Sequence, residues 1–439
     1  MKRMKWLIGL STALLCGALL TGCGTKKETN TDTDGKTKVT FWAAPNPTQL
    51  KYWEEMATEF GKSQSDIVVE VSQMKESPSS EATIQSAIAS KTAPTLSENI
   101  NRSFAAQLAA SEAILPIDEQ KGFDDIVKGR NMTKTIDSWQ FSDGEQFVLP
   151  VYSNPILFAW NLELLKELGY NEPPKTYSEL LEVGKKLKDK HPDKVMWAKK
   201  DLADPTAWMR WFDFFPLYNG ASEGSSFVEA NKVSADDQAV EDVLTLVSKL
   251  QKEDLLLTGE STDPFENSIS LMADLGPWTF PNWAEKYPEL TYGESYTIAT
   301  PVVPDRLKAA ETVSTYADAK GIVMYAQAGE KEQAAAMKFL KFVYGDETHD
   351  AKFLEVTSLI PARDDATENA AFKEYFEAHP EMAAYAENVP YAVPAMDNEL
   401  YNDIQQTFGE QTWVPVIRGE KAPAKAWSEG KKAIEGVLP

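Results

Sequence analysis

Short apolar runs and amphipathic stretches alternate along this chain. Residues 38–43 (Lys-Val-Thr-Phe-Trp-Ala) form a buried-strand run, and 48–64 carry Leu50, Trp53, Ala57 and Phe60 at helical spacing. Residues 67–71 are β-branched, and 80–90 place Ile84, Ala87 and Ile88 on one helical face. Strand, helix, strand, helix predicts a parallel α/β layer. Asp143-Gly144 predicts a hairpin turn between 140 and 148. The run 155–160 predicts another strand, leading into a short helix that ends near Gly169. Thr176-Tyr-Ser-Glu179 is a capping box that opens a helix to about 190, and 236–252 and 331–344 read as amphipathic helices. Loops rich in proline and aromatics recur at 42–47, 150–155, 204–216, 276–283, 300–304 and 390–396.

The first residues follow a different pattern. Lys2, Arg3 and Lys5 precede an apolar run over 6–20, and Leu20-Thr21-Gly22-Cys23 closes it. This order spells an export signal, and the run is short of the ~20 residues a spanning helix needs. The closing tetrapeptide resembles the lipobox of bacterial lipoprotein precursors. That resemblance implies cleavage before Cys23, a thioether-linked diacylglycerol on Cys23 whose two acyl chains, such as palmitate, suffice for stable anchoring, and attachment to the outer face of the cell membrane. Residues 24–37 lack large apolar side chains and read as a flexible tether.

Composition narrows the chemistry. The 439 residues suggest two to three domains. Carboxylates outnumber bases 67 to 44, for a net charge of −23. Losing 1–22, with three positive charges, takes the body to about −26 (−23 minus 3). Nucleic acid and anionic lipid surfaces are disfavoured as partners by that sign. No cysteine follows Cys23, so the body has no disulfide framework, cysteine zinc site or cysteine nucleophile. His191, His349 and His379 lack motif partners and read as solvated surface. G-x-S-x-G, H-E-x-x-H, Walker and G-x-G-x-x-G motifs are absent. Nothing singles out a glycosidase-like carboxylate pair among so many acids. No catalytic residue, metal ligand or cofactor is expected.

Aromatic residues in turns stand out instead. Trp42, Tyr152, Trp208, Trp211, Trp278, Trp283 and Trp413 sit at element ends beside Pro, Gly or Asn. Each is either a half-exposed wall for a ligand or packing between elements. Sugar rings stack their C–H faces on such walls and direct their hydroxyls to charged or amide partners. Trp53 and Trp160 fall inside regular elements and read as core.

Five patterns in order carry a resemblance. They are Val39-Thr-Phe-Trp-Ala43 before an amphipathic helix; Ile84 through Ala93-Pro94-Thr95, with Thr95 where Asp is usual; Val148-Leu-Pro-Val-Tyr152 through Trp160-Asn161, Leu168-Gly169, Pro173-Pro174 and 176–179; Met272-Ala-Asp-Leu-Gly-Pro-Trp278 with Ala299-Thr-Pro-Val-Val-Pro304; and Ile360-Pro-Ala-Arg363 before an acidic helix. From 38 to 439 the chain resembles the extracellular solute-binding proteins of ABC importers, in the sugar-binding branch that includes maltodextrin-binding protein. The resemblance implies an α/β, two-lobe periplasmic-binding-protein-like fold of type II with ligand between the lobes. Lobe one would hold 38–150 and 317–358, and lobe two 151–300 and 365–439. Crossings would fall near 149–154, 301–316 and 359–364. Hinge closure around ligand would present a closed form to the permease.

The implied ligand residues are Trp42, Ala44, Asn99, Asn101, Arg102, Tyr152, Trp208, Trp211, Trp278, Tyr316, Asp318, Arg363 and Asn398, with Glu98 and Met396 as neighbours. Arg363 is also read as a lobe-tying ion pair, and Asp318 as a turn residue. The expected ligand is a di- or oligosaccharide bound by a monomer without catalysis. Two alternatives stay open: the same scaffold taking a polyamine, peptide or phosphate ester, and a surface-anchored glycoside hydrolase. A cationic ligand would suit the acidic body and an aromatic box.

Overall fold

The computed structural model describes residues 35–439. The signal segment, Cys23 and most of the tether lie outside the described residues. Among the described residues no helix is long and apolar enough to cross a membrane.

Fourteen strands are described: β1 (Thr37–Ala43), β2 (Ile67–Gln73), β3 (Leu96–Ile100), β4 (Ile114–Leu115), β5 (Leu149–Pro155), β6 (Leu157–Asn161), β7 (Val195–Ala198), β8 (Val228–Glu229), β9 (Lys232–Val233), β10 (Leu256–Leu257), β11 (Ser270–Leu275), β12 (Tyr296–Ala299), β13 (Thr315–Tyr325) and β14 (Ala392–Val393). One sheet runs β14-β13-β3-β1-β2, with β4 and β5 also paired to β13. The other runs β10-β7-β11-β6-β12. β8 and β9 form a separate hairpin. The β2-β1-β3 and β10-β7-β11 pairings are parallel, while β13 runs antiparallel to β3 and β5, and β6 antiparallel to β11 and β12. Both sheets are open, and the architecture is the two-lobe α/β fold.

Local chemistry explains the elements. The helix Pro47–Ser63 starts at Asn46, whose side chain accepts from the Thr48 N–H at 2.9 Å, with proline at its first position. The expected capping box forms: Thr176 Oγ1 accepts from the Glu179 N–H, and Glu179 returns to the Thr176 N–H. Gly169 ends the helix Leu162–Glu167 at φ +88°, the left-handed position that glycine tolerates best.

Each sheet is covered on both faces. Val39, Phe41 and Ala43 of β1 pack with Trp53, Phe60, Phe339 and Phe353, while Ile84, Phe104 and Trp139 cover the opposite face. On the second sheet Trp160, Leu180, Val243, Trp413 and Trp427 share one core, and Phe265, Trp283, Phe372 and Tyr385 form the other. Trp53 and Trp160 are core as expected. So are Trp283 and Trp413: Trp283 stacks on Phe265 at 5.5 Å, and Trp413 donates its indole N–H to the Leu202 carbonyl at 3.0 Å.

Three expectations need correcting. The 140–148 turn exists, with Phe141 N–H on the Glu145 carbonyl at 3.0 Å, but no strands flank it. Phe141 and Phe147 both turn into the core and meet edge to face at 5.1 Å. The backbone that would have paired is used elsewhere, by Ile117 and Asp118. His191 and His349 are half-buried rather than solvated: His191 meets Glu167 at 2.9 Å, and His349 Nδ1 donates to the Val343 carbonyl at 2.9 Å. The apolar run 155–160 spans two sheets, because β5 ends in the first and β6 begins in the second with only Ile156 between them.

The chain passes between the two sheets more than once. The chain leaves the first sheet at Pro155, inside the segment expected to open lobe two. It returns along β13, and Ile156 N–H donates to the Tyr316 carbonyl where the two passages meet. Residues 358–364 run beside β5, with Ser153 N–H on the Ile360 carbonyl and Ala362 N–H on the Val151 carbonyl. A further return, unanticipated in the sequence, brings β14 onto Thr315 and Tyr316 of β13.

Candidate functional site

The turn Ala207–Phe212 and the turn Pro277–Thr279 each lift a tryptophan to the surface of the second lobe. Trp208 is 51% and Trp278 44% exposed, unusual for so large an apolar side chain. Phe212 stands between them, edge-on to Trp208 at 6.3 Å and to Trp278 at 6.2 Å. These three rings, with Ile156, Met209, Lys199, Asp201 and Asp274, line a cavity of about 320 Å³. That volume lies at the small end of the range for ligand pockets.

The polar floor is tightly held. Asp274 accepts from the Trp197 indole N–H at 2.9 Å and from Lys199 Nζ at 2.5 Å. Lys199 also donates to the Phe212 carbonyl at 2.8 Å, fixing the aromatic turn to β7. Beneath that turn Arg210 and Asp213 form a fully buried bidentate pair at 2.9 and 2.7 Å. Burial pushes the Asp213 carboxyl up, and Arg210 opposes the shift. Arg210 Nη1 has no partner among the described residues.

The first sheet contributes a second wall. Tyr316 stacks on Trp211 at 4.9 Å and 12° and meets Phe212 edge-on at 6.2 Å. Alternation along β13 puts Asp318 and Lys320 on the same face as Tyr316. β5 sets Asn154 opposite Asp318 and Tyr152 opposite Lys320. Among the described residues no hydrogen bond ends on the Asp318 carboxylate, and the buried Asn154 Nδ2 also lacks a partner. Burial raises the Asp318 carboxyl above its ordinary range, and the nearby Lys320 opposes this. Burial, then the Asp318 charge, raises both the Tyr152 and Tyr316 phenols well above theirs, so both remain neutral donors. Lys320 Nζ donates to Asn99 Oδ1 at 2.9 Å. Asn99 holds φ +70° inside β3, a conformation asparagine adopts more readily than most residues and one that clusters at functional sites.

The remaining expected ligand residues lie elsewhere or have their donors engaged. Trp42 is half-buried and walls a separate cavity of about 530 Å³ with Met74, Pro78 and Thr83. Ala44 is buried, and its N–H donates to Glu98 Oε2 at 2.9 Å; Gln49 holds the other oxygen at 2.8 Å, and burial raises the Glu98 carboxyl. Asn101 caps the helix Arg102–Ala110 through the Phe104 N–H at 2.7 Å. Arg102 is buried, donates to the Trp139 and Gln140 carbonyls, and stands 3.6 Å from Asp397. Asn398 is buried between Asn231 and the Leu400 N–H, and the Met396 carbonyl accepts from Ser103.

Arg363 is likewise committed. It forks onto Asp365 at 2.6 and 3.0 Å and reaches Asp350 at 3.3 Å. Asp350 accepts from Arg130 at 2.9 and 2.8 Å, and Arg130 also donates to the carbonyls of Pro150 and Val151 on β5. This buried network joins β5 to the 358–364 segment, and Arg363 spends its donors inside it.

Phe212, Lys199, Asp201, Asp274, Asn154 and Lys320 were not anticipated. Only Asp274 had a sequence signal, an acid inside an apolar strand directly before Gly276-Pro277-Trp278.

A family described as bacterial extracellular solute-binding protein matches residues 55–384. A solved protein of Listeria monocytogenes, itself uncharacterised, is 68% identical over 92% of this chain and all of its own, with TM-score 0.91. At 19% identity, the cyclic α-maltosyl-1,6-maltose binding protein of Arthrobacter globiformis covers 92% of this chain and 99% of its own, with TM-score 0.77. At 16%, the sugar-binding protein MalE of Xanthomonas citri covers 92% and 97%, with TM-score 0.74; these two share the fold. The sn-glycerol-3-phosphate-binding periplasmic protein UgpB of Brucella abortus is 24% identical over 223 residues, 49% of this chain and 48% of its own length. The chain thus spans about half the length of the curated relatives it matches. With a family match over most of the two-lobe body and a near-identical fold in a 68% identical relative, this chain belongs to the bacterial extracellular solute-binding proteins.

Proposed function

We propose that the protein is a non-catalytic receptor for a di- or oligosaccharide, anchored outside the cell through Cys23, that hands its ligand to the permease of an ABC importer. The observation that carries this reading is the pair of exposed indoles, Trp208 and Trp278, over a cavity with a carboxylate and ammonium floor. Apolar C–H faces of a sugar match the rings, and hydroxyls match Asp201, Asp274 and Asp318, which accept without needing a charged ligand. The sugar-binding proteins that share the fold agree with this reading. Tyr316 and Asp318 on the first sheet would close on a ligand seated against the second, and such dual contact stabilises a closed state.

A phosphate ester is the second reading, favoured by the partial match to glycerol-phosphate-binding proteins. Charge opposes it. The candidate cations Lys199 and Lys320 are held by Asp274 and Asn99, and no arginine lines the cavity. Calorimetric titration with maltose, maltotriose, sn-glycerol 3-phosphate and spermidine separates the classes. Saturable heat with a saccharide and none with the others supports the proposal. Saturable binding of the phosphate ester or spermidine, with none of the saccharides, overturns it.

A further inference from the structure

We propose that Gly276 fixes the resting tilt of Trp278 and so sets the width of the slot between Trp278 and Trp208, making it a positioning residue that selects ligands by size. The proposal rests on the carbohydrate-site reading above. The Gly276 backbone is extended, with φ −107° and ψ 163°, a conformation open to any residue. The main chain therefore does not require glycine there. Space does: a methyl group at 276 would overlap the outer indole ring of Trp278 at Cη2, Cζ2 and Cζ3. The ring folds back over the Cα of the residue two before its own.

The surroundings pin that fold-back. Pro277 fixes its own φ, and the Thr279 N–H returns to the Gly276 carbonyl at 3.1 Å, so the turn has little freedom. The indole also meets Phe212 edge-on at 6.2 Å. Phe212 is held in turn by Lys199 on its carbonyl and by Tyr316 on its ring. An added methyl meets the free end of a side chain rather than backbone, so the ring leaves its seat while the fold stays intact. The slot shared with Trp208 changes shape with it.

The test uses the full-length protein labelled with 5-fluorotryptophan, first without ligand. In 19F spectra the Trp278 line is assigned by its loss in Trp278→Phe. It is expected to move in Gly276→Ala while the lines of buried Trp53 and Trp413 stay in place. An unmoved Trp278 line overturns the proposal, whatever the ligand. Maltotriose titration adds a double-variant cycle. Phenylalanine lacks the outer ring, so Gly276→Ala is expected to weaken binding about tenfold in the native background and to cost nothing further beside Trp278→Phe. Equal losses in both backgrounds overturn the proposal. Should maltotriose bind neither background, the carbohydrate reading loses its support while the 19F result still decides the role of Gly276.

Discussion

Two clusters of charge and aromatic rings invite comparison. One is the Arg130–Asp350–Arg363 network beside β5; the other is the Trp208–Phe212–Trp278 slot, with Tyr316 of β13 packed on Phe212 and Asp318 two residues further along that strand. Residue types overlap, and satisfaction separates them. In the network beside β5 Asp350 accepts from Arg130 on both oxygens, Arg363 and Asp365 complete the circuit, and Arg130 lies over the Tyr344 ring at 4.1 Å. At the slot the indoles face solvent and the Asp318 carboxylate has no hydrogen bond among the described residues. A charged group with every partner in place stabilises the chain that holds it. A polar group left waiting in a half-buried cleft costs stability, and a ligand removes the cost.

The comparison breaks first, and most visibly, at Asp350. Asp350→Ala leaves Arg130 buried without its counter-charge and should cost about 3–5 kcal/mol in denaturant titration. Unchanged stability would mean that this network does not brace the fold. Next comes Trp278→Ala: affinity for the saccharide found by titration should fall about 30-fold, with stability within about 0.5 kcal/mol of the parent. A parent-like dissociation constant would remove Trp278 from the site.

Asp318→Asn should move the two properties in opposite directions. Binding should weaken about tenfold through loss of a charged acceptor. Stability at pH 7 should rise, because burial holds the carboxyl above its ordinary range in the folded state. For such a group, stability is fully present below the unfolded value near 4 and is lost as pH rises through the raised folded value. Melting curves of parent and variant should therefore converge as pH falls toward 4. Curves that stay parallel at every pH would show that Asp318 carries no burial cost. The smallest effect belongs to Tyr401, whose hydroxyl reaches Glu81 on the helix Ser80–Ala89 at 3.2 Å. Tyr401→Phe should speed ligand dissociation about two- to fivefold in stopped-flow, as expected for one part-exposed hydrogen bond.

The same distinction explains what could be read from the sequence. Helices at 47–63, 177–190, 237–252 and 330–344 were legible because their apolar spacing and caps are local. Trp208 and Trp278 line one cavity and Trp211 stacks on Tyr316 beside it, and for these tryptophans the place beside turn residues was the signal. Arg102, Asn101, Arg363 and Asn398 carry the same polar character in sequence. Their partners arrive from residues 139–140, from a helix start, from Asp350 and from Asn231, and a linear pattern does not register those contacts. Phe212 and Lys199 were missed for the converse reason: each matters through what tertiary packing sets beside it.

The interleaving of the two sheets has a consequence for how the chain is made. The first core needs Ile322, Met324, Phe339 and Phe353 to close over Val39 and Phe41, and the second needs Ile404, Trp413 and Ile434 to close over Trp160 and Leu180. During synthesis from the N-terminus, neither core can be completed until most of the chain has emerged. Such long separations delay the contacts that repay loop-closure entropy. Both halves of the shape therefore reach their final packing only after residues beyond 320 have joined them, and neither can be finished much before the other.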